Sequence, residues 1–299
     1  MMALGYGLRK GNIVSKSTMG EVNRLAYLIF IPMLLFKNIY KEELAEVLNV
    51  KLIVFLIAGI LAVLAGSILI TLLAEKDPRT RGAMIQGMYR SNFTIFGLPI
   101  VIFLFGEANT GVTSFLIAIL APMYNIICII VLEIFRGGRA NRRKMFFSVL
   151  SNPFMIGTLL GVLVMLSGIH FPTFIESSID TFASLALPMS LISMGASFTP
   201  TTVKAKTRNL ILTVAMRLVG FPVVFLTICI LAGFRDLELA TMLILFASPT
   251  AIVSYTMAVQ MDSDGDFACA VVIFTTLFSG ITVFLWLFFL QYFSFIVVP

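Results

Sequence analysis

Long apolar runs alternate with short polar connections from one end of the chain to the other. A helix that crosses a bilayer needs about 20 consecutive, mostly apolar residues. Runs of this kind fall near residues 25–40, 52–74, 83–105, 112–135, 149–168, 182–198, 209–232, 239–260 and 267–291, which predicts nine spanning helices. A further apolar fragment, Met1–Leu8, is too short to cross. It also lacks the charged start and longer apolar stretch of a secretory signal. The fold class these runs predict is an all-α polytopic membrane protein.

Composition agrees. The chain is 59% hydrophobic and 12% charged, with a mean hydropathy of +1.03. Soluble domains are about half apolar and a quarter charged, and a soluble fold of this length could not hide so much apolar surface. Cys128, Cys229 and Cys269 all lie inside apolar runs, without metal-ligand spacing, and read as small core residues.

Charge fixes the orientation. The alternate connections at 9–24, 75–81, 136–147, 199–208 and 261–266 carry fifteen Lys and Arg, whereas the opposite set carries four. The basic set faces the cytoplasm, led by Arg136, Arg139, Arg142, Arg143 and Lys144, and both chain ends then lie outside. This pattern accounts for the net charge of +6 without nucleic acid. It places the protein in the cell (inner or plasma) membrane as a multi-pass chain with the lipid bilayer as its surroundings.

The basic connection also divides the chain into a first repeat at 1–135, a cytoplasmic linker at 136–147 and a second repeat at 148–299. The halves superimpose in sequence with a shift of 156–158 residues. Ile31-Pro32-Met33-Leu34-Leu35 matches Leu187-Pro188-Met189-Ser190-Leu191, and Ala83-Met84-Ile85 matches Thr241-Met242-Leu243. Five spans per repeat make equivalent helices run in opposite directions, an inverted plan that recurs among secondary transporters. Leu4-Gly5 matches Leu160-Gly161, so the first helix is expected to be truncated, with the native protein extending upstream.

Binding sites in such proteins form where matching helices are interrupted near the midplane. Counting the truncated first helix as one, the fourth span reads Tyr89-Arg90-Ser91-Asn92-Phe93-Thr94-Ile95-Phe96-Gly97-Leu98-Pro99, and its mate, the ninth, reads Phe246-Ala247-Ser248-Pro249-Thr250-Ala251-Ile252-Val253-Ser254-Tyr255. Both set polar residues with Pro or Gly into an apolar helix, and a proline removes a backbone donor and disturbs the preceding turn. A broken helix offers free amides at the start of its second half, and that end attracts anions. Asn92 would add an amide donor, Thr250 and Ser254 hydroxyls, and Gly97, Pro99 and Pro249 the break itself. Arg90 and Arg217 are the basic residues inside spans, and either could neutralise an anion. Asn125, Ser190 and Ser193 are ranked below Asn92, since each could equally join helices.

These residues resemble the auxin efflux carrier family of permeases. The likeness rests on Asn152-Pro153-Phe154 with Gly161, Ser167-Gly168-Ile169, Ala186-Leu187-Pro188-Met189-Ser190-Leu191, Met194-Gly195-Ala196-Ser197, Arg90-Ser91-Asn92 through Gly97-Leu98-Pro99, and Phe274-Thr275-Thr276-Leu277-Phe278-Ser279. It covers essentially the whole chain, in a compact bacterial form related in fold to bile acid:sodium symporter-like transporters. The resemblance implies two inverted five-helix repeats with crossing broken helices, an elevator-like movement of a transport unit against a scaffold, and a homodimer. It implies a secondary transporter for a small organic anion such as malate, malonate or another carboxylate. An auxin or monocarboxylate efflux protein and a channel-like protein are the alternatives, and coupling to a proton or sodium stays open. Thr250 stands where an amide could balance Asn92, so the site need not be symmetric.

An enzyme would need a nucleophile with a base, or metal ligands, at a shared depth. The single histidine, His170, is in an outside loop. Asp262, Asp264 and Asp266 approach a calcium-loop pattern, but the glycine comes too early and position twelve is Ile273. The reading contains neither a catalytic site nor a cofactor or metal.

Overall fold

The computed structural model describes residues 1–41, 50–107, 111–136, 142–169 and 171–298. His170 and residues 137–141 of the basic linker lie outside the described residues. The chain folds into helices α1 (Met2–Lys10), α2 (Lys16–Tyr40), α3 (Val50–Ala74), α4 (Pro78–Tyr89), α5 (Phe93–Phe105), α6 (Gly111–Ile134), α7 (Arg142–Leu150) and α8 (Pro153–Ser167). After these come α9 (Thr173–Ser197), α10 (Pro200–Ala205), α11 (Thr207–Leu231), α12 (Asp236–Ala247), α13 (Val253–Gln260) and α14 (Gly265–Tyr292). Six of these helices, α2, α3, α6, α9, α11 and α14, are long and apolar enough to span a bilayer unbroken.

The fourth and ninth spans are each split in two, as α4/α5 and α12/α13. Span boundaries differ from the apolar runs where polar residues sit on exposed turns. Helix α9 starts at Thr173 rather than 182, because Glu176, Ser177, Ser178 and Asp180 dilute its first turns. The run at 149–168 is interrupted at Ser151-Asn152, where Asn152 Oδ1 accepts from the Phe154 amide and N-caps α8.

Two packing groups emerge. Helices α1, α2, α8 and α9 form a panel, and α3–α6 with α11–α14 form a second body. Within the panel two helix crossings are alike. A Cβ on Gly5 of α1 would lie 2.0 Å from the Ile192 carbonyl of α9, and one on Gly161 of α8 would lie 3.0 Å from the Phe36 carbonyl of α2. Both members of the second pair stand 156 residues from those of the first. Close backbone approach needs a residue without a side chain, which is why small residues mark helix contacts in membranes. At the helix ends next to the basic connections, Lys206 pairs with Asp264, the N-cap of α14, and also donates to Thr80 Oγ1 at 2.6 Å. The Thr80 hydroxyl, with nearby amides, holds the Asp77 carboxylate below the usual aspartate range. That cap of α4 is therefore complete at neutral pH and lost only as acid takes the pH down through the lowered value.

Two spanning helices contain a π turn, at Ala26–Phe30 in α2 and Met216–Gly220 in α11. Each comes just before a proline, Pro32 or Pro222. A proline cannot donate to the carbonyl four residues back, so Leu28 and Leu218 lose their regular partners. In α11 the indole N–H of Trp286, from α14, donates to the Leu218 carbonyl at 3.1 Å. Trp286→Phe should therefore leave that carbonyl unpaired and lower stability by about 1 kcal/mol, read as a fall in the unfolding temperature of the detergent-purified protein.

Candidate functional site

The two split spans cross at their breaks. The Asn92 amide donates to the Pro249 carbonyl at 2.9 Å, and the Ala251 amide donates to the Arg90 carbonyl at 3.2 Å, a single antiparallel bridge centred on Ser91 and Thr250. The bridge relates Asn92 to Ala251 and Ser91 to Thr250. The residue matching Asn92 is thus an alanine, one position beyond the threonine expected from sequence.

Four helix ends meet at this crossing. The C-terminal ends of α4 and α12 present carbonyls that no longer have a donor within their helices. Arg217, projected from the π turn of α11 and 1% exposed, supplies the donors. Its Nε donates to the Ser248 carbonyl at 2.7 Å and its Nη2 to the Leu245 carbonyl at 3.1 Å. Its Nη1 faces the Met88 and Tyr89 carbonyls, each at 3.4 Å. One guanidinium therefore caps both helices. Each C-terminal end has the character of roughly half a negative charge, so two ends offset about one cation. No acidic side chain pairs with Arg217 among the described residues.

The N-terminal ends of α5 and α13 face the other way, into a cavity of about 350 Å³. Neither end has a side-chain cap. Asn92, Thr94 and Ile95 from the first end line the cavity, as do Ala251 and Val253 from the second. The remaining walls come from Asn38 and its neighbours on α2, Leu187 on α9, and Tyr124 and Asn125 on α6. The cavity thus takes walls from both α2 and α6. It sits on the seam between panel and second body.

Arg90 lines this cavity and is 4% exposed. Its Nη1 donates to Met257 Sδ at 2.7 Å and its Nη2 to Asn125 Oδ1 at 2.6 Å. Neither acceptor is charged. Arg90 forms no ion pair among the described residues, and no Asp or Glu lines the cavity. Among the described residues, Asn92 Nδ2 is buried without an acceptor and Ser91 Oγ without a partner. A cation, two uncapped helix starts and an unpartnered amide donor thus converge on one space. Chemically, that arrangement suits a small negative group.

Of the residues expected at the site, Arg90 and Asn92 line the cavity and the others do not. Pro249 lies in the break and contributes its carbonyl. Thr250 Oγ1 donates to the Gly87 carbonyl at 2.6 Å and its amide donates to Thr275 Oγ1 at 3.2 Å, so its polar groups bind the crossing together. Ser254, 2% exposed, is on α13 with its hydroxyl unpartnered and is not part of the cavity wall. Gly97 is buried where a Cβ would meet Phe93 and Thr113, on the side that packs against α6. Pro99 does not break its helix. Helix α5 starts at Phe93 and continues through Pro99, which is exposed and away from the cavity. Arg217 lies behind the crossing, occupied with carbonyls. Asn125, ranked low from sequence, is 1% exposed and bonded to Arg90. An amide on the same apolar face as a known cation partner is not distinguishable from a helix-joining residue until the helices are placed. Outside the membrane, Glu133 pairs with Arg136, which also pairs with Asp262.

A many-helix bundle with two crossed, interrupted spans around a buried polar cavity defines the class as a multi-pass membrane transporter. The chain belongs to the family described as Membrane transport protein, whose sequence profile matches residues 1–287, and this is the auxin efflux carrier family expected from the sequence. An uncharacterized transporter of Methanocaldococcus jannaschii is 22% identical to it, covering 96% of this chain and 94% of that protein. An uncharacterized transporter of Methanothermobacter thermautotrophicus is 24% identical, over 96% of this chain and 94% of its own.

If Arg217 caps two helices rather than meeting substrate, Arg217→Met should act on folding. It leaves the carbonyls of Leu245 and Ser248 unpaired in a buried setting, a loss of about 3 kcal/mol or more. The expected result is a sharp drop in folded, monodisperse protein on gel filtration, whereas Arg90→Gln should leave the elution profile intact.

Proposed function

We propose that this transporter carries a small organic anion, such as malate, malonate or another carboxylate, by alternating access. The observation that supports it most is Arg90, a buried guanidinium in a cavity wall whose acceptors among the described residues are an amide oxygen and a thioether. A buried charge without a counter-ion is costly, and a carboxylate entering the cavity supplies the missing partner. The free amides at the starts of α5 and α13, with Asn92 Nδ2, extend the same preference.

The position of the cavity on the seam supports the transport step. Anion contacts come chiefly from the crossing, which belongs to the second body, while α2 and α9 of the panel close the cavity from the other side. Sliding the second body along the panel carries the site across the bilayer without dismantling it. In this scheme Arg217 keeps the crossing rigid during the movement.

Flux of labelled malate and malonate into proteoliposomes tests the proposal, run with and without proton and sodium gradients to read coupling. Saturable uptake is expected. Arg90→Gln should raise KM by roughly tenfold to a hundredfold, the worth of a charge-assisted hydrogen bond, and Asn92→Ala by a smaller factor. No uptake by folded protein would remove dicarboxylates and turn the search to auxin-like monocarboxylates. Large unitary currents in place of saturable flux would mark a channel.

A further inference from the structure

We infer that Asn125 and Thr158 report the occupancy of the anion site to the panel, so that the empty transporter is held and the loaded one is released. The inference rests on the anion reading above. Asn125 is placed on α6, in the second body, with both ends of its amide engaged. Its Oδ1 accepts from Arg90 Nη2 at 2.6 Å, and its Nδ2 donates to Thr158 Oγ1 of α8, in the panel, at 3.2 Å. Thr158 is 1% exposed. A continuous chain of hydrogen bonds therefore runs from the cavity cation across the seam.

Other hydrogen bonds cross the same seam. Tyr255 OH donates to Ser197 Oγ at 2.6 Å, Cys269 Sγ donates to the Met194 carbonyl at 3.3 Å, and Asn152 Nδ2 approaches Met261 Sδ at 3.8 Å. None of them includes a residue of the cavity wall on the second body. Among the described residues, only the Asn125 link begins at the group that meets the anion.

Competition makes the link responsive. A carboxylate is a stronger acceptor for a guanidinium than an amide oxygen is, by about a factor of two in hydrogen-bond strength. When an anion takes the Arg90 donor, Asn125 Oδ1 loses its partner. The whole amide is then free to swing toward the anion and donate Nδ2 to it, which takes Asn125 out of reach of Thr158, and the bond to Thr158 is given up. The total number of hydrogen bonds is kept, but one is moved from the seam to the site. Breaking a seam contact on binding lowers the barrier for sliding of the loaded body relative to the empty one. The observable consequence is that exchange of anion for anion, in which the site is always loaded, outpaces net uptake, which requires an empty return.

Thr158 touches no anion in this scheme and acts through Asn125, so it is a positioning residue. Its removal should alter the empty return without altering binding. The test compares malonate exchange with net malonate uptake in proteoliposomes for the wild type and for Thr158→Val, which keeps the shape and removes the hydroxyl. The expected result is net uptake faster by roughly twofold to tenfold, the worth of one neutral hydrogen bond, with exchange and KM within twofold of wild type. Thr158→Ser should restore the wild-type ratio. Thr158→Ala removes the same hydroxyl and serves if the valine variant does not fold. Asn125→Asp should abolish malonate binding, because it gives Arg90 a built-in counter-ion.

A wild type that binds and exchanges malonate, with an unchanged ratio in the Thr158 variants, overturns the link and leaves the anion reading intact. A folded wild type that neither binds nor moves malonate or malate overturns both.

Discussion

The fold turns on a single buried guanidinium. Interrupting a transmembrane helix creates orphan carbonyls at one end and orphan amides at the other, and lipid satisfies neither. Two interrupted helices crossing at one point double the problem. Arg217 resolves half of it, binding carbonyls of both α4 and α12 from a π turn that Pro222 induces. The β-type bridge between Arg90–Asn92 and Pro249–Ala251 ties the breaks to each other, and Thr250 ties them to α4 and α14. The negative ends are thereby neutralised within the protein.

The positive ends are not. The starts of α5 and α13 open into the cavity, joined there by Arg90 and the unpartnered amide of Asn92. The two arginines inside spans consequently have opposite chemistry although both are buried cations. Arg217 has carbonyls and helix dipoles for partners and no open space, whereas Arg90 has open space and weak acceptors. The proposed anion site rests on this separation of a satisfied structural charge from an unsatisfied cavity charge. It sits on the seam between the panel and the second body.

Much of this was legible in the sequence. Apolar runs gave the spans, and polar residues with proline in the fourth and ninth spans marked the crossing, because lipid tolerates such residues only where protein or water meets them. The locations of the breaks were less legible. Pro99 looks like a helix breaker, yet α5 runs through it, and the interruption falls at Arg90–Asn92. Proline weakens one hydrogen bond of a helix, while the crossing partner supplies new ones to the bridge, and that tertiary gain decides the site of the break. The same limit applies to the arginines. Sequence assigns both to the membrane interior but not to opposite sides of a bridge. Asn125 shows it again, since its role depends on Arg90 and Thr158, which are 35 and 33 residues away in sequence.

The most direct measurement is a cryo-electron microscopy structure of the transporter in lipid nanodiscs with saturating malonate. The account requires density for the anion between the Arg90 guanidinium and the first turns of α5 and α13, with Arg217 still on the carbonyls of Leu245 and Ser248. Anion density against Arg217, or an empty cavity with Arg90 still held by Asn125 and Met257 under saturating malonate, would contradict it.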